Sequence, residues 1–274
     1  MSRCCCKPAY SFHAKFYHVG KDAPELKPGQ KVDWSYDPAE SGTPFMTYER
    51  DGCDFCCTGE CPKPCIGCFA CGEKCRDGGT LYAGDRTGKP GSGDRDTAKL
   101  LGEVVQPPGG GGFKPVMQMM ERADPDDPKA ETTLFAAVKG PCCTGGLAAM
   151  CTESIFSMGA VSPDMTNDSS KLHTANFGDF ATITKLKPAG LGQGVRELFT
   201  DSDLFDVKFT AKDITPQQKA NVLAQMIQLD YMFFERDNDV CNRTDDGGTY
   251  ISCCNCFVYG CVCPCGVKLG GKTE

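Results

Sequence analysis

The sequence has no apolar run long enough to cross a bilayer as a helix. A spanning helix needs about 20 predominantly apolar residues, and the most apolar stretch, residues 220–234, is shorter. It is also interrupted by Gln225, Gln228 and Asp230, which are costly in hydrocarbon without partners. We therefore expect no membrane-spanning helix, so any membrane attachment must come from another force.

The chain also lacks an excess of basic residues. It has 29 Lys and Arg against 36 Asp and Glu, a formal net charge of −7, so nothing attracts it globally to phosphate backbones and we expect no nucleic-acid partner. Its first residues show no charged start followed by an apolar run. We therefore expect no cleaved secretory signal and a reducing setting in which disulfides are disfavoured.

No catalytic set is visible. The three histidines, His13, His18 and His173, are scattered, and the glycines at 109–112 follow prolines rather than a strand that leads into a helix. There is no nucleophile elbow and no phosphate-binding loop. We expect that the protein is not an enzyme.

The segments that are present favour β structure. Glycine and proline mark loops at 84–96, 106–115 and 123–129, and between or after them lie short, partly alternating segments. This pattern predicts a meandering antiparallel sheet or barrel. The predicted strands are residues 100–106, 115–122, 132–139, 154–159 and 179–186.

A sixth strand and a helix follow. Phe205, Val207 and Phe209 alternate with polar residues, which predicts a strand with one buried face. Thr215 can then cap a helix whose first position is Pro216, and Gln218 stands where a capping box needs it.

The helix itself, residues 217–235, is predicted to be a core helix wrapped by the strands. Asn221, Gln225 and Gln228 form a narrow polar stripe that we expect to reach the barrel mouth or an internal pocket. Asp230 lies away from that stripe and is interpreted as a buried carboxylate that accepts backbone hydrogen bonds, rather than as a catalytic base. The positions assigned to the core helix are Leu223, Ile227, Asp230 and Phe233.

These residues resemble a known family. The run ITKL at 183–186, the run ELFTDSDLFDVKF at 197–209 and the helix at 219–235 are similar in order and spacing to the C-terminal part of the phospholipid scramblases. Upstream, LLGEVVQ at 100–106 and VKGPCC at 138–143 stand where that family carries an early strand and a Gly-Pro-Cys-Cys turn.

The resemblance implies a fold. It predicts a closed antiparallel barrel of about twelve strands, shared with tubby-like proteins, that encloses one C-terminal hydrophobic helix. We accordingly divide the chain into a cysteine-rich N-terminal extension (1–75), a scramblase-like barrel with its core helix (76–236) and a cysteine-rich tail (237–274).

The resemblance also implies a function. Scramblases move phospholipids between leaflets in response to calcium, and they are held at the cytoplasmic face of the plasma membrane partly by acylated cysteines. A phospholipid membrane is therefore the expected partner, and the N-terminal extension is the segment expected to bind proteins. The alternative is a membrane-tethered module that binds lipid or acts as an adaptor without transport, and a metal-binding cysteine-rich protein ranks below both.

Calcium is assigned by the resemblance to the acidic run before the last strand. Its candidate ligands are Asp201, Asp203 and Asp213. The run departs from a calcium loop, since Phe205 and Asp206 stand where an oxygen ligand and a glycine belong. A solvated turn that caps a strand is the favoured interpretation, with calcium as the alternative.

The 21 cysteines are clustered at residues 4–6, 53–75, 142–151 and 241–265. The resemblance implies that some accept lipid. A metal site is the alternative, because four cysteines have iron–sulfur spacing and paired C-x2-C motifs are compatible with zinc, and small buried side chains are a third interpretation. The lipidation candidates are Cys61, Cys65, Cys68, Cys71, Cys75, Cys253, Cys254 and Cys256, and the metal candidates are Cys65, Cys68, Cys71 and Cys75.

Overall fold

In a computed structural model, the residues described are 12–17, 44–50, 70, 76–86, 99–127, 129–187, 204–234, 241–244 and 247–271. They form a mainly β structure with a C-terminal helix. The strands are β1 Phe12–Phe16, β2 Met46–Arg50, β3 Gly78–Ala83, β4 Leu100–Val105, β5 Val116–Arg122, β6 Thr132–Lys139, β7 Cys143–Thr144, β8 Ser154–Ala160, β9 Ala181–Lys185, β10 Phe205–Phe209, β11 Cys241–Arg243, β12 Thr249–Val258 and β13 Cys261–Leu269. The α-helices are α1 Gly146–Cys151, α2 Ser169–Leu172 and α3 Pro216–Phe233, and 3-10 turns lie at Pro108–Gly111 and Pro163–Met165.

Nine of the strands form one antiparallel sheet in the order β1-β2-β3-β4-β5-β6-β8-β9-β10. Neighbours in space are neighbours in sequence, apart from the step over β7, so the sheet is a meander of hairpins. β1 and β2, from the segment expected as an N-terminal extension, are part of this sheet, and the three-part division of the chain stays a prediction.

The predicted closed barrel of about twelve strands is not observed. Within the described residues no ladder joins β10 to β1, and the sheet is a curved half-barrel. The remaining four strands form a second sheet, β11-β12-β13 with β7 paired to β12. The resemblance therefore predicted the mainly β class correctly, whereas the closure that it also predicted is not observed. Alternation within a strand could not test the closure, because it does not say whether the two sheet edges meet.

All six strands predicted from the sequence are present. β6 occupies residues 132–139 as expected, and β9 buries its alternate residues. In β10, Phe205 and Val207 pack against the core, whereas Phe209 is 37% exposed at the strand end. Periodicity therefore identified the strands and the inward face of β10 up to its last residue.

Helix α3 begins as the capping pattern predicts. The Thr215 hydroxyl accepts a hydrogen bond from the Gln218 backbone N–H at 3.1 Å, and Gln218 Oε1 accepts from the Thr215 N–H at 3.3 Å. Pro216 stands at the first helical position, where its missing N–H costs nothing. The helix ends at Phe233, two residues before the predicted end.

Helix α3 packs its apolar residues on the concave face of the sheet. Val222, Leu229 and Phe233 are buried, and the Phe233 ring lies 5.5 Å from the Phe156 ring of β8. Burying a side chain of this size contributes about 1.5 to 3 kcal/mol. This contact region, which also includes Met119, is the main core of the molecule.

The polar stripe of α3 faces inward. Asn221, Gln225 and Gln228 are fully buried, while Leu223 and Ile227 are only half-buried. Of the two places expected for the stripe, the interior is the observed one.

Two members of this stripe differ in their contacts. Gln228 Oε1 accepts a hydrogen bond from the Tyr48 hydroxyl at 2.5 Å. Within the described part of the chain, neither amide atom of Gln225 has a hydrogen-bond partner. The interior along α3 therefore contains an amide whose desolvation is not offset by a hydrogen bond among these residues.

Buried charges on β2 complete the core. Arg50 donates to Asp77 from Nε at 3.1 Å and from Nη2 at 2.7 Å, and its guanidinium lies 4.2 Å from the Tyr231 ring of α3. The neighbouring Glu49 forms an ion pair with Arg86 at 2.5 Å. β2 is buried along its whole length, and a buried charge without an opposite charge nearby is strongly destabilising. Asp77 and Arg86 provide those opposite charges inside the protein.

The C-terminal hairpin was not predicted. β12 and β13 are joined by a turn of two residues, Tyr259 and Gly260, with φ values of 47° and 93°. Positive φ at both central positions is the geometry of the tight hairpin turn that matches strand twist. The alternation in ISCCNCFV is typical of a strand, but its cysteines were interpreted as lipidation candidates.

Candidate functional site

The candidate site is a group of thiols on the outer side of the second sheet. A β-bulge between Ser252 and Cys254 changes which residues of β12 face the core. After the bulge, Asn255 and Phe257 are buried, and the Phe257 ring lies 6.0 Å from Phe233. Cys254 and Cys256 therefore share the opposite side of the strand.

The thiols come from three neighbouring strands. Cys143 of β7 is directly opposite Cys256, and Cys265 of β13 is directly opposite Cys254. The Sγ atom of Cys256 lies 3.4 Å from Cys143, 3.7 Å from Cys254 and 2.9 Å from Cys265. The Sγ atoms of Cys143, Cys254 and Cys256 all lie within 4.8 Å of one another. We call Cys143, Cys254, Cys256 and Cys265 the thiol cluster.

Further free thiols surround the cluster at the surface. Cys142, Cys151 and Cys253 are exposed. Cys151 ends α1, which follows β7 and contacts β12, and the Cys142 carbonyl accepts from the Phe257 N–H at 2.7 Å. Exposed thiols and the thiol cluster therefore occupy one region.

Exposed apolar groups lie next to the same region. Phe113 is 64% exposed and Tyr259 is 42% exposed, and their rings stack edge to face at 5.1 Å. The Tyr259 N–H donates to the Gly112 carbonyl at 2.7 Å, which holds the two turns together. Leu147 of α1 is exposed as well. Rings placed at loop tips in this way can contact an apolar phase without unfolding the sheet.

Two thiols of this region have raised pKa values. Hydrogen bonding with Cys265, together with burial and the other neighbouring thiols, raises the pKa of Cys256 well above its usual value. The adjacent Cys143 thiol and burial raise the pKa of Cys142 in the same way. Since the thiolate is the reactive form, both cysteines are weak nucleophiles at neutral pH unless a cation or an acceptor intervenes.

Several predicted site residues fall outside the described residues. Asp201 and Asp203 do, so the structure does not describe the calcium loop, and Asp213 is exposed before α3. The N-terminal lipidation and metal candidates Cys61, Cys65, Cys68, Cys71 and Cys75 also lie outside. Their roles stay predictions.

The remaining predicted residues are described. Cys254 and Cys256 belong to the thiol cluster, whereas Cys253 is exposed beside them. On α3, Phe233 is buried, and Leu223, Ile227 and Asp230 are half-buried, so the carboxylate of Asp230 is less enclosed than expected. Sequence reasoning did not place Cys143 and Cys265 with Cys254 and Cys256, because that grouping depends on strand pairing.

The described part of the chain contains no helix long and apolar enough to cross a membrane. The fold and site define a β-rich protein with a curved antiparallel sheet around a C-terminal helix and a cysteine-bearing surface. Residues 154–236 match the family model described as Scramblase. This segment comprises β8, β9, β10 and α3, and over it the predicted resemblance to the scramblase family is confirmed. No curated protein and no solved structure matches the chain.

Proposed function

We propose that the protein is a scramblase-family lipid-transport protein that moves phospholipids between leaflets from the cytoplasmic face of the plasma membrane. The observation that carries the proposal is the family match over residues 154–236, the segment that builds the last three strands of the main sheet and the core helix. On this proposal the protein is not an enzyme, and its partner is the phospholipid membrane.

Membrane attachment in this proposal uses acyl chains and apolar rings. Each buried methylene contributes about 0.8 kcal/mol, and stable anchoring needs two signals. Cys253 is exposed on β12, and the rings of Phe113 and Tyr259 are exposed at turns, with Tyr259 directly after β12. The N-terminal cysteines at 61–75 would supply the second signal.

Attachment is tested by thioester-selective labelling of protein isolated from its own cells. Label is expected at residues 61–75 and at Cys253. Changing Cys65, Cys68 and Cys71 together with Cys253 to Ser should release the protein to the soluble fraction, and either set alone should only weaken retention. Full retention of the combined variant would contradict acyl anchoring.

Transport is tested in vesicles that carry a fluorescent phospholipid in both leaflets. With purified protein and calcium present, a membrane-impermeant quencher should reach lipid that began in the inner leaflet. Protein-free vesicles, which lose only the outer-leaflet signal, are the control. If protein-bearing vesicles behave like the control although the protein is bound to them, the protein does not transport lipid.

A second candidate function is a membrane-tethered module that binds lipid or acts as an adaptor without transport. The packed interior of the main sheet favours it. Among the described residues, helix α3 fills the concave face with buried side chains such as Leu229 and Phe233, and these leave no polar path for a headgroup between helix and sheet. The vesicle assay separates the two candidates.

Calcium dependence is part of the proposal, with Asp201, Asp203 and Asp213 as ligands. A site with few charged ligands and no loop glycine should be weak, with a Kd of about 10⁻⁴ to 10⁻³ M. Calorimetry should show this binding lost in Asp203→Asn and kept in Asp206→Asn, since Asp206 is an exposed residue on β10. Equal binding in both variants would exclude this ligand set.

A further inference from the structure

Three sulfurs of the thiol cluster, those of Cys143, Cys254 and Cys256, have the spacing of a single metal site. In a tetrahedral zinc–thiolate centre, a zinc–sulfur bond of about 2.3 Å places neighbouring sulfurs about 3.8 Å apart. The Sγ atom of Cys256 lies 3.4 Å from Cys143 and 3.7 Å from Cys254. The sulfurs of a disulfide lie about 2.05 Å apart. The two Sγ–Sγ distances here are longer and match those between two ligands of one ion.

Strand pairing rather than sequence spacing brings the ligands together. The bulge at Ser252 and Cys254 turns Cys254 and Cys256 to one side, β7 adds Cys143 from across the ladder, and β13 adds Cys265 opposite Cys254. Cys143 and Cys265 are far apart in the chain, so an ion bound to both would link the β12–β13 hairpin to β7.

We propose that Cys143, Cys254 and Cys256, with Cys265 as the fourth ligand, bind one Zn²⁺ ion. A four-thiolate set selects a soft ion, and zinc takes tetrahedral sulfur ligands without redox change. The Sγ atom of Cys265 lies 2.9 Å from that of Cys256, which is shorter than the tetrahedral edge, and it lies outside the group of sulfurs that are all within 4.8 Å of one another, so the Cys265 side chain must change its rotamer to complete the site. The ligands are partly exposed, which gives the ion access from solvent.

The site is independent of the proposed lipid function. It competes with acylation for Cys254 and Cys256 but leaves the exposed Cys253, Cys142 and Cys151 as thiols that lipid can reach. Zinc binding would release four thiol protons. It would also raise the free energy of unfolding, because the site does not exist in the unfolded chain.

The first test uses the full-length protein without substitutions. Reduced, metal-free protein is treated with a cysteine-alkylating reagent in the presence and absence of Zn²⁺, and the labelled positions are read by mass spectrometry. Zinc should protect Cys143, Cys254 and Cys265 from the reagent and leave the exposed Cys253 and Cys151 reactive. Equal labelling of Cys143, Cys254 and Cys265 with and without zinc would overturn the proposal.

The second test measures stoichiometry. The Cys143→Ser and Cys256→Ser double variant should bind one zinc ion fewer per chain than the natural sequence. The matched Cys142→Ser and Cys253→Ser variant, which changes the exposed residues adjacent to Cys143 and Cys254, should bind as many as the natural sequence. Cobalt in place of zinc should show the sulfur-to-cobalt charge-transfer band of tetrahedral thiolate coordination, reduced only in the first variant.

Two outcomes count against the site even if zinc binds elsewhere. Unchanged stoichiometry in the Cys143→Ser and Cys256→Ser variant would assign the metal to other cysteines. A thioester or a disulfide mapped to Cys254 or Cys256 in protein from its own cells would exclude those thiols as ligands. The thioester result would leave the proposed lipid function standing, whereas failure in the vesicle assay would leave the zinc site standing.

Discussion

Asn255 of β12 donates a hydrogen bond from Nδ2 to the carbonyl oxygen of Phe233 at 3.1 Å. The last carbonyls of a helix have no partner within the helix, so a side chain of the C-terminal hairpin satisfies one at the end of α3. The contact joins the second sheet to the core helix of the first. Strand β12 of the cysteine-rich tail therefore packs against the core helix.

Replacing Asn255 by Ala should destabilise the protein by about 1 to 3 kcal/mol, because a buried carbonyl loses its donor. Urea unfolding followed by far-UV circular dichroism measures the change. Thr210→Ala, at an exposed position after β10, is the control and should have little effect. Equal stability of the two variants would show that the hairpin does not depend on this bond.

The two leucines of α3 provide a matched test of helix orientation. Leu229 is fully buried and Leu223 is half-buried. Leu229→Ala should cost about 2 to 5 kcal/mol, and Leu223→Ala should cost less than about 2 kcal/mol, because part of its surface is already in water. The same unfolding experiment compares them. A larger loss for Leu223→Ala would mean that the helix is rotated relative to this description.

A substitution at Gln225 tests whether its buried side-chain amide lacks a hydrogen-bond partner. Gln225→Met keeps the side-chain volume and removes a buried polar group, so it should stabilise the protein by about 1 to 3 kcal/mol. Gln228→Met is the matched control, because it also removes the hydrogen bond with Tyr48 and should be less favourable. If Gln225→Met destabilises the protein instead, the amide has a partner in solution, such as a buried water.

The lowered pKa of His13 predicts how the stability of the protein varies with pH. Burial lowers the pKa of His13 below its ordinary value of 6.5, and Arg86 and Lys15 act in the same direction, whereas Glu49 and Asp85 oppose them. A lowered histidine pKa means that the unfolded chain binds the proton more readily. The contribution of His13 to stability is therefore present above about pH 6.5 and is lost as the pH falls below it.

The urea midpoint should consequently decrease between about pH 7.5 and pH 5.5, the range in which an ordinary histidine titrates. His13→Gln, which cannot titrate, should show a smaller decrease. Lys187→Gln, at an exposed position, should keep the decrease of the natural sequence. Identical pH profiles for His13→Gln and the natural sequence would assign the dependence to other groups.

Local patterns were sufficient for the elements that bury one face. Alternation predicted β4, β5, β6, β8, β9 and β10, and the Thr215-Pro216-Gln218 pattern predicted the start of α3. These features depend on neighbouring residues along the chain, such as a cap and its N–H group. They could therefore be read without knowledge of the fold.

The burial of the helix faces could not be read in this way. Hydrophobicity assigned Leu223 and Ile227 to the core, and both pack against it while remaining half-buried. The polar residues Asn221, Gln225 and Gln228 are nevertheless buried more completely. Tyr48 of β2 partly explains the difference, because it supplies a buried hydrogen bond to Gln228. Such a partner lies far away in sequence, so periodicity does not reveal it.

The sequence by itself determined the mainly β class, the capped C-terminal helix and the scramblase resemblance of residues 154–236. Only the tertiary structure decided that the sheet remains open within the described residues and that Cys143 meets Cys254 and Cys256. The physical reason is that strand registers and bulges set these relationships. A bulge of one residue at Ser252 and Cys254 changes which side chains of β12 face the core, and its consequence depends on the strands beside it.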